Sequence, residues 1–588
     1  MRYLGKILKK YRGFIALTMV IKLLGTFLEL LLPYVLEHLI DNVAPTGDRA
    51  MVLIWGLAMA VLAVLVRTLN VSSNRMSVRT AREAAREMRT ELFHVSLNLS
   101  GAQMDEFGLP SITSRMTADS YNVQNFIRAA QTMGVRAPIM MIGGIAITLT
   151  MDRGLAMILC FMVPIMIVLV ILISKRGIPM FDQVQRGMDD MVRIMRENIT
   201  GIRVVKALSK EDYENRRFTT SSTAFERLDA KASFIMALPG PMVTLFLNAG
   251  LTLVVLIGAR RVNGGQTEPG VILAFLTYFN MILMGVMAIN RIFMMLSKAN
   301  ASAQRIAKVV ELQDDLPVLP EAEGAHTDRE GFLVFDHVSF SYEAGNTDAS
   351  VGAHGFAGAA REQCLKNIDF SVKKGGSLGI IGATGSGKTT IVNLLMRFYD
   401  PQEGRVFVDG RDVRTYDRDE LRRKFGVVFQ NDAIFADTIT ENIAFGRALG
   451  EDELRAASAD AMALNFIEGY GDGFEHMADI HGANFSGGQK QRLLISRALA
   501  GKPEVLILDD ASSALDYRTD ASLRKAIREH HSEATTIVVA QRISSIMALD
   551  AIIVMDEGEM IGYGTHEQLM ERCPVYREIY KVQMGEAA

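Results

Sequence analysis

Most of the apolar sequence of this chain lies before residue 300, in six runs near 13–36, 51–70, 134–152, 154–174, 236–259 and 270–296. A hydrocarbon core about 30 Å thick takes about 20 apolar residues per helix, so each run is long enough to cross a bilayer. With no water to satisfy the backbone, such a run must be a helix. At 588 residues, 49% of them apolar, the chain is too long for one domain and too oily for an ordinary soluble one.

The connections between runs alternate in length. Runs one and two, three and four, and five and six are joined by short turns such as Met151-Asp-Arg-Gly154, whereas the stretches 71–133 and 175–235 are long, charged and helical in pattern. Five basic residues (Arg2, Lys6, Lys9, Lys10 and Arg12) precede the first run and place the amino terminus in the cytoplasm. Arg260 and Arg261 then fall on the outer side, against that rule.

Ionisable residues inside a span are candidates for function. Lys22 and Glu29 are seven residues apart, on one face of the first helix, and are candidates for a substrate cavity. Lys22 could equally snorkel to the inner interface. Met281, Met284, Met287, Met294 and Met295 enrich the sixth run, where they suit either a pliable pocket or ordinary helix packing.

The second half of the chain carries phosphate chemistry. Residues 382–389 read Gly-Ala-Thr-Gly-Ser-Gly-Lys-Thr, after the apolar strand 377–381 and before a helix. Gly382, Gly385 and Gly387 let the backbone of a phosphate loop, with Thr384 and Ser386, turn its N–H groups inward, and the following helix presents its positive end. Lys388 then reaches the outer phosphates of ATP and Thr389 a magnesium ion, with Thr390 beside it. A second apolar strand, 504–510, ends in Asp509 and Asp510, and Asp509 is the expected magnesium partner. The net charge of −3 offers no basic patch for nucleic acid. Cys160, Cys364 and Cys573 have no metal-binding spacing.

Between the two strands lies Asn484-Phe-Ser-Gly-Gly-Gln-Lys-Gln-Arg492 at the start of a helix. The core Ser486, Gly487, Gly488 and Gln489 resembles the signature of ABC transporters, with Phe485 where the family usually has Leu. The resemblance extends over nearly the whole chain and implies an all-α six-helix transmembrane domain (1–312), a linker (313–328) and an α/β P-loop ABC ATPase domain (329–588). It implies that Tyr342 stacks on adenine, that Gln430 is a metal- and domain-sensing glutamine, and that Ser513-Ala-Leu-Asp516 is a dimer-contact loop. The signature would face ATP held by a second half-transporter. The segment 343–361 is similar to nothing the family usually carries there and reads as an inserted surface loop.

Two positions depart from the family pattern. Where it has a Glu that polarises water and a His that touches the γ-phosphate, this chain has Asp510 and Gln541. Asp is one methylene shorter, and Gln cannot carry a proton's charge. Where exporters usually carry Gly-Glu-x-Gly, the chain reads Ala478-Asp-Ile-His-Gly482.

The combination resembles the degenerate half of heterodimeric bacterial multidrug exporters. It implies a plasma-membrane protein with its ATP domain in the cytoplasm, working with ATP and Mg2+ beside a partner that supplies the catalytic Glu and switch His. The cargo would be a hydrophobic small molecule, a lipid or a peptide. A slow homodimeric exporter and a nucleotide-gated channel or sensor are the alternatives.

Overall fold

The fold is described from a computed structural model, which covers residues 2–320, 326–342, 363–430 and 433–585. The inserted segment 343–361 and part of the 313–328 linker therefore lie outside the described residues. The chain divides into two compact units, Met1–Leu97 with Ile112–Leu312, and Asn98–Ser111 with Gln313–Ala588.

The first unit is helical, and six helices among the described residues are long and apolar enough to cross a membrane. Its principal helices are α1 (Arg12–His38), α2 (Arg49–Leu97), α3 (Ser120–Met151), α4 (Arg153–Thr200), α5 (Pro239–Asn263) and α6 (Pro269–Val310). The turn at Met151–Gly154 is built by Asp152, which accepts from the N–H groups of Gly154 (2.8 Å) and Leu155 (3.1 Å). Such a cap satisfies donors that a helix start leaves orphaned.

The long stretch 175–235 is broken near its middle, where α4 ends and the short helix Ile202–Ala207 precedes Glu211–Ala237. The stretch 71–133 is likewise interrupted, at the helix Gly101–Phe107, opened by a capping box of Ser100 and Gln103.

Polar anchors fix the helices of this unit to one another. Lys22 is buried and its ammonium donates to Asn70 (2.7 Å) and Asn74 (3.2 Å) of α2. Glu29 instead pairs with Arg136 of α3 at 2.7 Å. Lys22 therefore turns into the protein rather than out to the interface. The carboxylate of Asp41 accepts from the N–H groups of Gly270 (2.6 Å) and Val271 (3.1 Å) at the start of α6. Of the sixth run's methionines, Met284 and Met287 are exposed, whereas Met281 packs against Leu30, Ala274 and Tyr278.

In the second unit an antiparallel sheet of β1 (Leu333–Phe340), β2 (Leu365–Val372), β4 (Glu403–Val408) and β5 (Arg411–Asp412) is ordered β2-β1-β4-β5. A second sheet has the order β10-β9-β3-β8-β7-β6. Its strands are β3 (Ser377–Gly382), β6 (Phe425–Val428), β7 (Val505–Asp509), β8 (Thr535–Val539), β9 (Ala551–Asp556) and β10 (Glu559–Gly564). The pairs β9–β3, β3–β8, β8–β7 and β7–β6 are parallel, and only β10 runs antiparallel, at the edge.

Every residue of β7 is buried, as expected for a parallel strand covered on both faces, which is why it reads as an unbroken apolar run. Truncating Ile507, wholly buried at its centre, would cost about 2–5 kcal/mol. The strand order decides where chemistry can occur. Loops leaving the carboxyl ends of β3, β8 and β7, three neighbours in the sheet, open at one edge, where ligands of such sheets bind.

Candidate nucleotide site

The loop after β3 carries the phosphate-binding motif, that after β7 carries Asp509 and Asp510, and that after β8 carries Gln541. They meet around a cavity of about 300 Å3 lined by Tyr342, Thr384, Gly385, Gly387, Lys388, Thr389, Thr390, Gln430, Asp509, Asp510 and Gln541. The residues singled out in sequence for phosphate, metal, adenine and water chemistry thus share one cavity. Cys364, Val539 and Ala540 complete the lining. No spacing marks these three. They enter because β2 pairs with β1 and β8 lies beside β3.

Gly382 and Ser386 shape the loop from behind. A Cβ on Gly382 would fall 2.1 Å from the Met555 carbonyl oxygen, so no larger residue fits. Ser386 is buried, with its N–H donating to the Ala383 carbonyl. Gly387 has φ of +97° and caps the helix α7 (Lys388–Leu395), a conformation that side chains with a Cβ avoid. The Lys388 ammonium curls over its own loop, donating to the carbonyls of Gly382 (2.9 Å) and Ala383 (2.6 Å). Burial lowers its pKa, and Asp509 and Asp510 oppose that shift.

At the floor, the Thr389 hydroxyl donates to Asp509 Oδ2 at 3.1 Å. Burial raises the Asp509 pKa, an effect that Asp510 reinforces and that Thr389 and Lys388 offset. A hydroxyl, a buried carboxylate and the amide oxygen of Gln430 in one cavity form an all-oxygen donor set, and this fits a magnesium ion. At the other end Tyr342 is fixed through its hydroxyl, which donates to Thr390 Oγ1 (3.2 Å) and accepts from Asn393 (3.1 Å). Its ring lies edge-on to Phe340 and Tyr399. Asn393 and Tyr399 escaped the sequence reading, having no motif of their own.

Asp510 follows directly on β7 with φ of +52°, and its N–H donates to the Val539 carbonyl. This left-handed turn carries its side chain off the line of the strand. Its Oδ2 accepts a 3.2 Å hydrogen bond from the side-chain amide of Gln541. Burial raises the Asp510 pKa, against the opposing charges of Arg542 and Lys388. The two departures from the family pattern are therefore bonded to each other.

Ser486, Gly487, Gly488 and Gln489 do not line this cavity. They open the helix α8 (Gly487–Leu499), where Ser486 and Gln489 form a capping box; Ser486 and Gly487 are exposed, and Gly488 and Gln489 are half-buried. Gln491 of that helix donates to the Ser513 hydroxyl (2.9 Å) and accepts from the Ala514 N–H (2.9 Å), bracing the loop that ends in Asp516. Asp516 caps the helix α9 (Tyr517–His530), and the N–H donors it holds there lower its pKa. Neither Lys22 nor Glu29 belongs to the nucleotide cavity.

Residues 15–287 match the ABC transporter transmembrane region family, and residues 365–513 match the ABC transporter family. An uncharacterized ABC transporter ATP-binding protein of Mycobacterium tuberculosis is 33% identical over 97% of this chain and 96% of its own. An ATP-dependent lipid A-core flippase of Methylobacillus flagellatus is 29% identical over 86% of this chain and 83% of its own. A solved bacterial Atm1-family ABC exporter with ATP bound has the same fold. It superposes with a TM-score of 0.79 at 24% identity, covering 98% of this chain and 99% of that one. With a membrane region of six helices ahead of a P-loop ATPase domain whose phosphate loop and paired aspartates meet in one cavity, the chain belongs to the ABC transporter family.

Proposed function

We propose that this chain is one half of a heterodimeric exporter, and that its own ATP site retains nucleotide and hydrolyses it poorly. The observation that carries the reading is the hydrogen bond from Gln541 to Asp510. The shortened carboxylate expected to act on water is already engaged by a neutral amide, at a position where the family's proton-carrying His would touch phosphate. A general base held out of place costs about 10²-fold or more in rate.

The intact signature, with Ser486 and Gly487 exposed at the start of α8 and absent from this chain's own cavity, supports the second part of the proposal. It completes a hydrolytic site on a partner half that brings its own phosphate loop, catalytic Glu and switch His. Asp516, in the braced loop beside it, contacts that partner. ATP closes the two nucleotide domains and resets the membrane helices, and hydrolysis on the partner side reopens them. In this chain Thr389, Asp509 and Gln430 would hold the magnesium ion that accompanies ATP.

The cargo is hydrophobic or amphipathic: a drug-like molecule, a lipid or a peptide. A relative named as a lipid flippase favours the lipid within that group. The chain sits in the plasma membrane with its amino terminus and ATP domain in the cytoplasm.

The test is ATP turnover by the purified chain, set beside ATP binding and oligomeric state. Tight binding with negligible turnover is the expected result. Brisk turnover by a homodimer would overturn the proposal and make Asp510 a working base.

A further inference from the structure

Gln541 does not hold its place by its own side chain alone. It follows β8 as the sheet ends, where Ala540 N–H donates to the Ile380 carbonyl (3.1 Å), and a short 3-10 turn begins at Ile543. Arg542, which precedes that turn, offers no side-chain cap, so the first N–H of the turn needs another acceptor. The side-chain amide of Gln583, forty residues further on, supplies it. Its Oε1 accepts from the Ile543 N–H at 2.7 Å, and its Nε2 donates to the Gln541 carbonyl at 2.8 Å. One planar amide thus bridges the two backbone groups that flank Arg542, as a neighbouring strand would.

Gln583 lies on the helix α10 (Pro574–Met584), which is fastened to the domain independently of that amide. Tyr576 is wholly buried, packing in one cluster with Ile543 and Ile546, and its hydroxyl lies 2.8 Å from His566 Nδ1. Arg577 donates to the carbonyls of Met570 and Glu571, each at 2.7 Å. The helix is a fixed post, and Gln583 ties the switch position to it.

We propose that Gln583 is a positioning residue for the nucleotide site: by fixing the backbone on both sides of Arg542 it holds the Gln541 side chain against Asp510. This rests on the reading of Asp510 and Gln541 as a nucleotide-retaining pair. It makes α10 part of the machinery that sets how long ATP stays.

The test uses the full chain in lipid nanodiscs and the release of N-methylanthraniloyl-ATP without magnesium, so that hydrolysis plays no part. Loss of two hydrogen bonds in Gln583→Ala is expected to speed release about tenfold, with the thermal unfolding midpoint unchanged. Gln583→Glu keeps the acceptor for Ile543 but sets a carboxylate against the Gln541 carbonyl. It should release as fast as Gln583→Ala near pH 8 and slow, relative to the parent chain, only as pH falls to about 4 and the carboxyl gains a proton. In a Gln541→Ala background, Gln583→Ala should add nothing.

Release at the parent rate by folded Gln583→Ala and Gln583→Glu would overturn the proposal. So would fully additive effects of Gln583→Ala and Gln541→Ala. Turnover with magnesium is measured separately: brisk hydrolysis by the parent chain removes the retention reading, while the magnesium-free release rates still decide whether Gln583 positions Gln541.

Discussion

The side-chain amide of Gln541 donates to Oδ2 of Asp510 across 3.2 Å, joining the ends of two neighbouring parallel strands at the mouth of the nucleotide cavity. Restoring the family's residues there should release the brake. Asp510→Glu lengthens the carboxylate toward the attacking water, and Gln541→His replaces a neutral donor by one that can bear charge. With hydrolysis at the partner's own site silenced, the double variant is expected to raise phosphate release from this chain's site by about 10²-fold in the assembled transporter, and either substitution alone by much less. An unchanged rate in the double variant would mean that these positions do not limit turnover.

A pH dependence follows from the buried carboxylates. Burial raises the pKa of both Asp509 and Asp510 above the unfolded value. A proton is then bound more tightly in the folded, nucleotide-free domain than in the unfolded chain. Their contribution to stability is full below the unfolded carboxylate pKa and is lost as pH rises through the raised value. Asp509 would hold magnesium as a carboxylate, so where pH lies within that window the affinity for magnesium-ATP should rise with pH and binding should release protons. Calorimetric titration in two buffers of different ionisation enthalpy measures the release. Asp509→Asn should abolish most of it and cost about tenfold or more in affinity for magnesium-ATP, while ATP binding in chelator persists.

What the sequence discloses depends on how local the cause is. The phosphate loop is legible because strand, glycine turn and helix are contiguous, and the membrane runs because bilayer thickness sets their length directly. The Gln541–Asp510 contact is not legible, since it requires knowing that β7 and β8, thirty residues apart, are neighbours. Cys364 in the cavity and Gln583 beneath the switch position are hidden for the same reason. Lys22 and Glu29 do lie on one helix at the expected spacing. Yet they are claimed by different neighbours, α2 for Lys22 and α3 for Glu29, and Arg136 is 107 residues away from its carboxylate. A helical period assigns a face to a residue and says nothing of which helix covers it.

Asp41 reaches the start of α6 with both carboxylate oxygens, on the N–H groups of Gly270 and Val271. This cap ties the carboxyl end of the first membrane helix to the start of the sixth. Asp41→Ala should cost about 1–2 kcal/mol, the usual value of a lost cap, and Asp41→Asn less, since one acceptor survives. Gly270→Ala should be worse than either in its effect on packing, because its Cβ would fall 2.5 Å from Asp41 Oδ2. Thermal unfolding of the detergent-solubilised chain ranks the three; a ranking with Asp41→Asn as the most damaging would contradict the capping role.

The pair Arg260 and Arg261, placed by the proposed topology on the outer side, runs against the positive-inside rule, and the structure supplies a reason that Arg261 is tolerated there. Its guanidinium donates to Asp152 Oδ2 at 3.1 Å, and Asp152 is buried, with Oδ1 capping α4. The charge is answered locally, at the turn joining the third and fourth spans, while in the proposed topology the five basic residues before the first span set the orientation. Arg261→Gln should therefore leave the topology unchanged. Asp152→Ala, which removes the cap and leaves Arg261 without this counter-charge, should destabilise the chain by about 2 kcal/mol. A cysteine introduced at Gly265 should react with a membrane-impermeant maleimide from outside intact cells, whereas one at Gln103 should react only after the membrane is opened. The reverse labelling pattern would invert the orientation and place the ATP domain on the wrong side for its nucleotide.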